Sequence, residues 1–277
     1  MAATRSSGEC HRYRTRLVLL DMRTLVHTSR PVRVRQDDYV VSAEFYDVLQ
    51  AEQDTVRVRR LYGRAVESAR LGVLDVGAGT GRVTLMSLLA SQVDVHAIEP
   101  AHAMRTPLMT RLASLSAELR ARVTVHPTTL GEAGLRDVAD LAICHNMIAC
   151  LSPSARHVLW PALAEALVPG GSLLLQLPPS GLFPGEVTER RFPEQQVGRH
   201  EYGGRMVLSA EGDRIRTRFD YWVRESGLML REHTETFWMW PASRTEMIKD
   251  LEDHGFVPQP AWEDPAVLAM TLGPHPQ

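Results

Sequence analysis

Between Asp38 and about Arg70 the apolar residues Val41, Phe45, Val48 and Leu49, then Val56, Val58, Leu61, Tyr62 and Val66, recur at helical spacing, which predicts two helices. At Gly72 the period changes. Val73 to Val76 is a short β-rich run, a glycine turn follows, and Val83 to Leu89 suits a helix. The cycle then repeats as Val93 to Ile98 with a helix from about Ala101 to Leu119, Val123 to Val125, Leu141 to Cys144 with a helix near Ser154 to Leu167, and Ser172 to Leu177. Pro161 is expected to start or kink a turn inside the last of these helices. Strand and helix in alternation predict an α/β fold with a doubly wound, mainly parallel sheet.

Beyond Pro178 the rhythm breaks. A Pro- and Gly-rich loop over 178–185 leads to strand-like segments at Gln196 to Ser209, Arg214 to Glu225 and Leu228 to Trp240, separated by turn signals at Glu211-Gly-Asp213 and Ser226-Gly227. These predict an antiparallel β insertion after strand five. A last helix, Arg244 to His254, ends at Gly255, and Phe256 to Trp262 with Val267 to Leu272 would close the main sheet at seven strands. The expected divisions are a basic, disordered arm over 1–37, N-terminal helices and a ligand-binding core over 38–177, a lid or substrate insertion over 178–242, and closing elements over 243–277.

Composition adds limits. The 277 residues are 44% hydrophobic and 23% charged, as in packed soluble domains. The net charge of −2 offers no general field for nucleic acid, although residues 1–36 hold eight arginines against Glu9 and Asp21. Met22 provides a second start within that arm. Cys10, Cys144 and Cys150 form no C-x-x-C pair, so a reducing cytoplasm is expected and disulfides are not. No apolar run approaches the roughly 20 residues that span a bilayer, so no membrane partner is expected. His96, His102 and His126 are dispersed without metal-ligand spacing, and no metal site is expected.

The turn Asp75-Val-Gly77-Ala78-Gly79-Thr-Gly81-Arg82 carries the chemistry. Alternate glycines let a strand turn sharply into a helix whose N-terminus favours an anionic group. Either a dinucleotide pyrophosphate or the carboxylate end of S-adenosylmethionine suits it. A dinucleotide fingerprint counted from Gly77 would place its last small residue at Arg82, which is too large for that position.

These residues resemble the class I S-adenosylmethionine-dependent methyltransferases, whose first motif has the form [V/I]-L-D-x-G-x-G-x-G. The strand Val93-Asp-Val-His-Ala-Ile-Glu99-Pro100 ends in an acid 18 residues past Gly81, where the family places the carboxylate that grips the ribose hydroxyls. Leu167-Val-Pro-Gly170-Gly171-Ser resembles the family's entry into strand five. The resemblance spans about 38–272 and implies a Rossmann-like methyltransferase fold with S-adenosylmethionine as cofactor. It implies cofactor contacts at Tyr39, Asp75, Gly77, Ala78, Gly79, Gly81, Glu99, Pro100, Thr128 and Asn146. After strand three the acidic residue common near adenine is replaced by His126-Pro-Thr-Thr129, so Thr128 or Thr129 would offer a hydroxyl instead. No N-P-P-Y follows strand four, which argues against a nucleobase acceptor.

Two catalytic candidates follow. His145, at the end of strand four, is placed to act as a base, or else to hydrogen-bond the cofactor or a loop. Tyr46, with Tyr39, lies in a segment resembling the Y-D helix that covers the cofactor in small-molecule methyltransferases; both also suit a core role. The insertion interleaves Arg205, Arg214, Arg216 and Arg218 with Tyr221, Trp222, Trp238 and Trp240, the make-up of a small-molecule lid. The expected activity is methyl transfer to a nitrogen or oxygen of a small-molecule or peptide natural product, by a protein that admits a homodimer. A nicotinamide-dependent oxidoreductase and a methyltransferase-like regulatory or interaction subunit without turnover stand as the alternatives.

Overall fold

The computed structural model describes residues 39–183 and 185–274; the arm expected over 1–37 lies outside them. Helix α1 (Ser42–Ser68) is continuous, not the two helices the spacing predicts. Its apolar stripe changes partner midway. Phe45 and Leu49 pack with Phe192, Tyr221 and Val223 of the antiparallel sheet, whereas Val58, Leu61, Tyr62 and Val66 pack on the main sheet. No Gly or Pro interrupts 50–57, so the backbone runs straight through the change.

Strand β1 (Gly72–Val76) leads through the glycine turn to α2 (Arg82–Ala90), then β2 (Asp94–Ile98). The helix expected over Ala101 to Leu119 is two, α3 (His102–Ala113) and α4 (Ala117–Ala121). Ser114 turns its hydroxyl back to the Arg111 carbonyl, and Ser116 caps the new helix by accepting from Leu119 N–H. Then come β3 (Val123–His126), the one-turn α5 (Leu130–Ala133) and β4 (Ala139–Cys144). After a 3-10 turn at Ile148–Cys150, α6 (Pro153–Ala166) continues across Pro161 and leads into β5 (Leu167–Gln176). Strand β5 starts earlier than expected because Val168 to Gly171 bulge out between the pairs Ala139–Leu167 and Leu141–Ser172.

The insertion follows β5 and is antiparallel. It contains β6 (Val187–Arg191), β7 (Gln195–Val197), β8 (His200–Glu211), β9 (Arg214–Glu225) and β10 (Leu228–Met239), in the order β10-β9-β8-β6 with β7 also on β8. Neither β6 nor the break between β7 and β8 was expected. Helix α7 (Arg244–Glu252) opens with a Ser243–Glu246 capping box, and the chain turns at Gly255 into β11 (Phe256–Pro258) and β12 (Val267–Leu272). Strand β11 is shorter than predicted; Pro258 and Pro260 have no N–H to extend a ladder.

The main sheet has seven strands in the order β11-β12-β5-β4-β1-β2-β3, parallel except for β12 and β11. Alternation fixes which face each side chain takes. Leu74, Val76, Ala142 and Cys144 join Trp160 and Leu163 of α6 and Met247 and Leu251 of α7. Val73, Leu141 and Ile143 join α1, α2 and Leu108 and Leu112 of α3 on the other face. With both faces covered, the carboxyl ends of β1, β2 and β4 are where a crevice can open. Among the described residues no helix is long and apolar enough to cross a membrane.

Candidate active site at the glycine turn

Gly77, Gly79 and Gly81 have φ of +72°, +55° and +92°, left-handed conformations that glycine adopts without strain. Their surroundings differ. A Cβ on Gly77 would lie 2.8 Å from Met147 Cβ, and one on Gly81 would lie 2.5 Å from Leu108 Cδ1. At Gly79 the nearest atom would be the Gly77 carbonyl oxygen, at 3.9 Å, so this side of the turn is open. Gly77 and Ala78 both donate their N–H to the Ile98 carbonyl at 2.9 Å, tying the turn to β2. Gly81 is the N-cap of α2 and supplies no side-chain cap. The Thr80 hydroxyl beside it is buried without a hydrogen-bond partner. Uncapped N–H groups at a helix start, an unpartnered hydroxyl and an open glycine together suit an anionic ligand end.

Asp75 supports this turn from beneath. It is 1% exposed and accepts a 2.6 Å hydrogen bond from Thr84 Oγ1 of α2. Burial pushes its carboxyl up to about 7, against the downward pull of Thr84. Asp75 therefore braces the helix start and presents no open surface to a ligand.

Glu99 sits across the turn, 6% exposed. Its Oε2 accepts the Gly79 N–H at 2.7 Å and its Oε1 accepts the Ala101 N–H at 2.8 Å. Burial raises its pKa, opposed by those two N–H groups and by Arg105. The structure thus brings Gly79 and Glu99 together. Pro100 follows on the exposed rim. Glu99 N–H donates to the His126 carbonyl, which sets the end of β3 beside it. Just beyond, Thr128 is half-buried, whereas the Thr129 hydroxyl is committed to a capping box with Glu132 of α5.

His145 is 8% exposed, with both ring nitrogens engaged: Nδ1 lies 3.1 Å from Tyr62 Oη and Nε2 3.2 Å from Asp54 Oδ1. Asn146, in a left-handed conformation at φ +54°, places its amide 3.1 Å from the same Nε2. Tyr46 donates to the other oxygen of Asp54 at 2.9 Å. Burial raises the Tyr46 pKa, with help from the Asp54 charge. For Asp54 itself burial acts upward, but the His145 hydrogen bond and charge and the Tyr46 hydroxyl outweigh it, and its pKa is lowered. Tyr39, just before α1, stacks its ring on Phe237 of β10 at 4.6 Å. A second group ties α1 to the turn. Asp47 accepts from Arg82 at 2.7 Å and from Arg111 of α3, which also donates to the Thr80 carbonyl.

Asp54 and Arg111 were not singled out from sequence, Tyr62 was read only as an apolar helix position, and Asp47 only as the acid of the Y-D segment. One signal was present: Asp54 stands four residues before Val58 and seven before Leu61, an acid on an otherwise apolar stripe. Cys144 is fully buried, and burial raises its pKa far from thiolate chemistry.

Residues 74–173 match the family model of a methyltransferase domain. No curated protein matches the sequence. Solved structures with the fold include CalS10, an amino pentose methyltransferase from Micromonospora echinaspora involved in calicheamicin biosynthesis, at 19% identity, 80% of this chain and 90% of that chain covered, and a TM-score of 0.59. DesVI of Streptomyces venezuelae gives 15% identity, 84% and 98% coverage and a TM-score of 0.67. The glycopeptide N-methyltransferase MtfA, complexed with (S)-adenosyl-L-methionine, gives 21% identity, 79% and 94% coverage and a TM-score of 0.51. Residues 74–173 thus match a methyltransferase domain, and the chain as described has the fold of these solved methyltransferases.

Proposed function

We propose that the protein is an S-adenosylmethionine-dependent methyltransferase that acts on a nitrogen or oxygen of a small-molecule or peptide natural product. The observation that carries this is the pairing of Gly79, open on its outer side, with the Glu99 carboxylate 2.7 Å from its nitrogen, at an uncapped helix start. A carboxylate there is suited to two adjacent ribose hydroxyls, each donating to one oxygen. Gly77, Ala78, Gly79 and Gly81 form the cradle, Glu99 and Pro100 its far wall, Thr128 its adenine side and Asn146 its floor, with Asp75 bracing from below. When bound, the cofactor supplies an electrophilic methyl group on a sulfonium. The chain's part is then alignment of the acceptor and exclusion of water, which Tyr39, Tyr46 and the second sheet serve as a cover.

The natural-product acceptor is supported by the described roles of CalS10 and MtfA, which share the fold. A nicotinamide cofactor is disfavoured by Arg82 where the dinucleotide turn needs a small residue. The same reading places the enzyme in the cytoplasm with neither nucleic acid nor membrane as partner. Calorimetry with S-adenosylhomocysteine tests it. Micromolar binding by the full chain, weakened at least tenfold in Glu99→Ala, is expected; absence of binding by the unaltered protein sinks the proposal.

A further inference from the structure

His145 stands at the carboxyl end of β4, yet neither ring nitrogen is free. A carboxylate has no hydrogen to donate, so the 3.2 Å contact with Asp54 puts the hydrogen on Nε2, and the Asn146 amide, 3.1 Å from the same nitrogen, then turns its oxygen and not its NH2 group toward the ring. The other Asp54 oxygen is held by the Tyr46 hydroxyl, which fixes the carboxylate's own orientation. Nδ1 faces Tyr62 Oη at 3.1 Å, and the Tyr62 ring meets the imidazole edge-on. Beyond His145 the chain turns sharply at Asn146, and the Met147 side chain closes against Gly77 so tightly that no Cβ fits between them. The imidazole is thus anchored to α1 immediately before the corner that packs on the cofactor turn.

We propose that Asp54 is a positioning residue for His145: it keeps the hydrogen on Nε2 and the Nδ1 lone pair turned to Tyr62, and so holds the Asn146–Met147 corner against Gly77. This rests on the methyltransferase reading of the site. His145 then serves the reaction through the shape of that corner and not by touching the acceptor, because both of its nitrogens are already bonded. The charged and titratable groups around the network are Tyr46, Asp54, Arg57 and Tyr62 from α1, Asp75 from β1, Arg82 from α2 and Cys144 from β4. Among them Asp54 is the acid in direct contact with the imidazole, so its removal has a specific electrostatic signature.

The test is long-range proton–nitrogen NMR of the histidine rings in the full chain, with His145→Gln used to assign the signal. The unaltered protein is expected to show the Nε2–H tautomer, and Asp54→Leu, which removes the acceptor, to raise the share of the Nδ1–H form at least tenfold. Asp54→Glu, which keeps a carboxylate, should restore the Nε2–H form, and Tyr62→Phe should shift the Nδ1 resonance while leaving the hydrogen on Nε2. An Nδ1–H tautomer in the unaltered protein, or an unchanged tautomer ratio in Asp54→Leu, overturns the proposal. The unaltered spectrum decides alone if the variants do not fold. Failure of S-adenosylhomocysteine to bind would remove the methyltransferase reading while leaving the histidine spectrum interpretable, so the two failures are distinguishable.

Discussion

The carboxylate of Asp47, midway along the first half of α1, bonds the guanidinium of Arg82, the first residue of α2, at 2.7 Å. Arg111 shares the same carboxylate, so one acid pairs with two cations beside the glycine turn. Replacing it leaves both arginines unpaired in a partly enclosed setting. Asp47→Ala is expected to cost about 2 kcal/mol, less than the roughly 3–5 kcal/mol of a fully buried pair. Differential scanning calorimetry should register a fall in Tm of about 4–8 °C. A change under about 1 °C would show that the three side chains do not clamp α1 to the turn.

Gly79 and Gly134 make a matched pair for the ligand cradle. Both have positive φ, +55° and +61°, and neither has a neighbour that an added methyl group would strike. Alanine at either costs about 1–2 kcal/mol of left-handed strain. Only Gly79 lies at Glu99, so Gly79→Ala is expected to weaken S-adenosylhomocysteine binding at least tenfold and Gly134→Ala to leave it within twofold. Equal affinities in the two variants would place the cofactor elsewhere.

Asp75 imposes a pH dependence with a definite sign. Its carboxyl titrates at about 7 in the folded chain against 3.8 when unperturbed, so between these values the folded state holds the extra proton. Stability from this group therefore falls as pH rises from about 4 to about 7, by an amount on the order of a few kcal/mol. Asp75→Asn keeps an acceptor for Thr84 and removes the ionisation. Urea unfolding should find it more stable than the unaltered protein at pH 8, with the advantage shrinking steadily as the pH is lowered toward 4. Parallel pH profiles for the two proteins would mean that Asp75 ionises normally. Asp54 acts in the opposite sense: its depressed pKa contributes stability that is lost as pH falls below the ordinary carboxylate range.

On the second sheet, Gly203 is the seat of an indole. A Cβ there would lie 2.1 Å from Trp222 Nε1, which donates to Glu194 at 3.3 Å. Gly203→Ala is expected to lift Trp222 off β8, shift tryptophan emission to the red, and loosen the pairing of β8 with β9. An emission spectrum superimposable on that of the unaltered protein would contradict the packing described.

The parts of this fold that could be read from sequence are those in which one side chain has one environment. Val73 and Leu74 alternate between two covered faces, and the central strands follow from that. Gly77, Gly79, Gly81 and Glu99 were found by spacing, which is how a strand-turn-helix unit and the next strand end are measured out. Strand β6 escaped because all five residues of Val187–Arg191 are exposed, leaving no alternation to detect. Helix α1 read as two because its stripe serves two sheets in turn. Asp54 was passed over because an acid among apolar positions looks like a solvent position until its partner, His145, arrives from 91 residues away. Thr129 looked as eligible as Thr128, and only the capping box shows its hydroxyl already engaged.

Helix α1 is a rod of 27 residues, about 40 Å long at the usual rise. Near one end Phe45 is wedged against the antiparallel sheet; within one turn Asp47 grips the glycine turn, and two turns later Asp54 holds the end of β4. A displacement of that sheet along the helix would reach both grips together, as a camshaft times two valves from one axle. An acceptor bound under the second sheet, as proposed, would bear on the cradle through α1, and by linkage the cradle would bear equally on the acceptor.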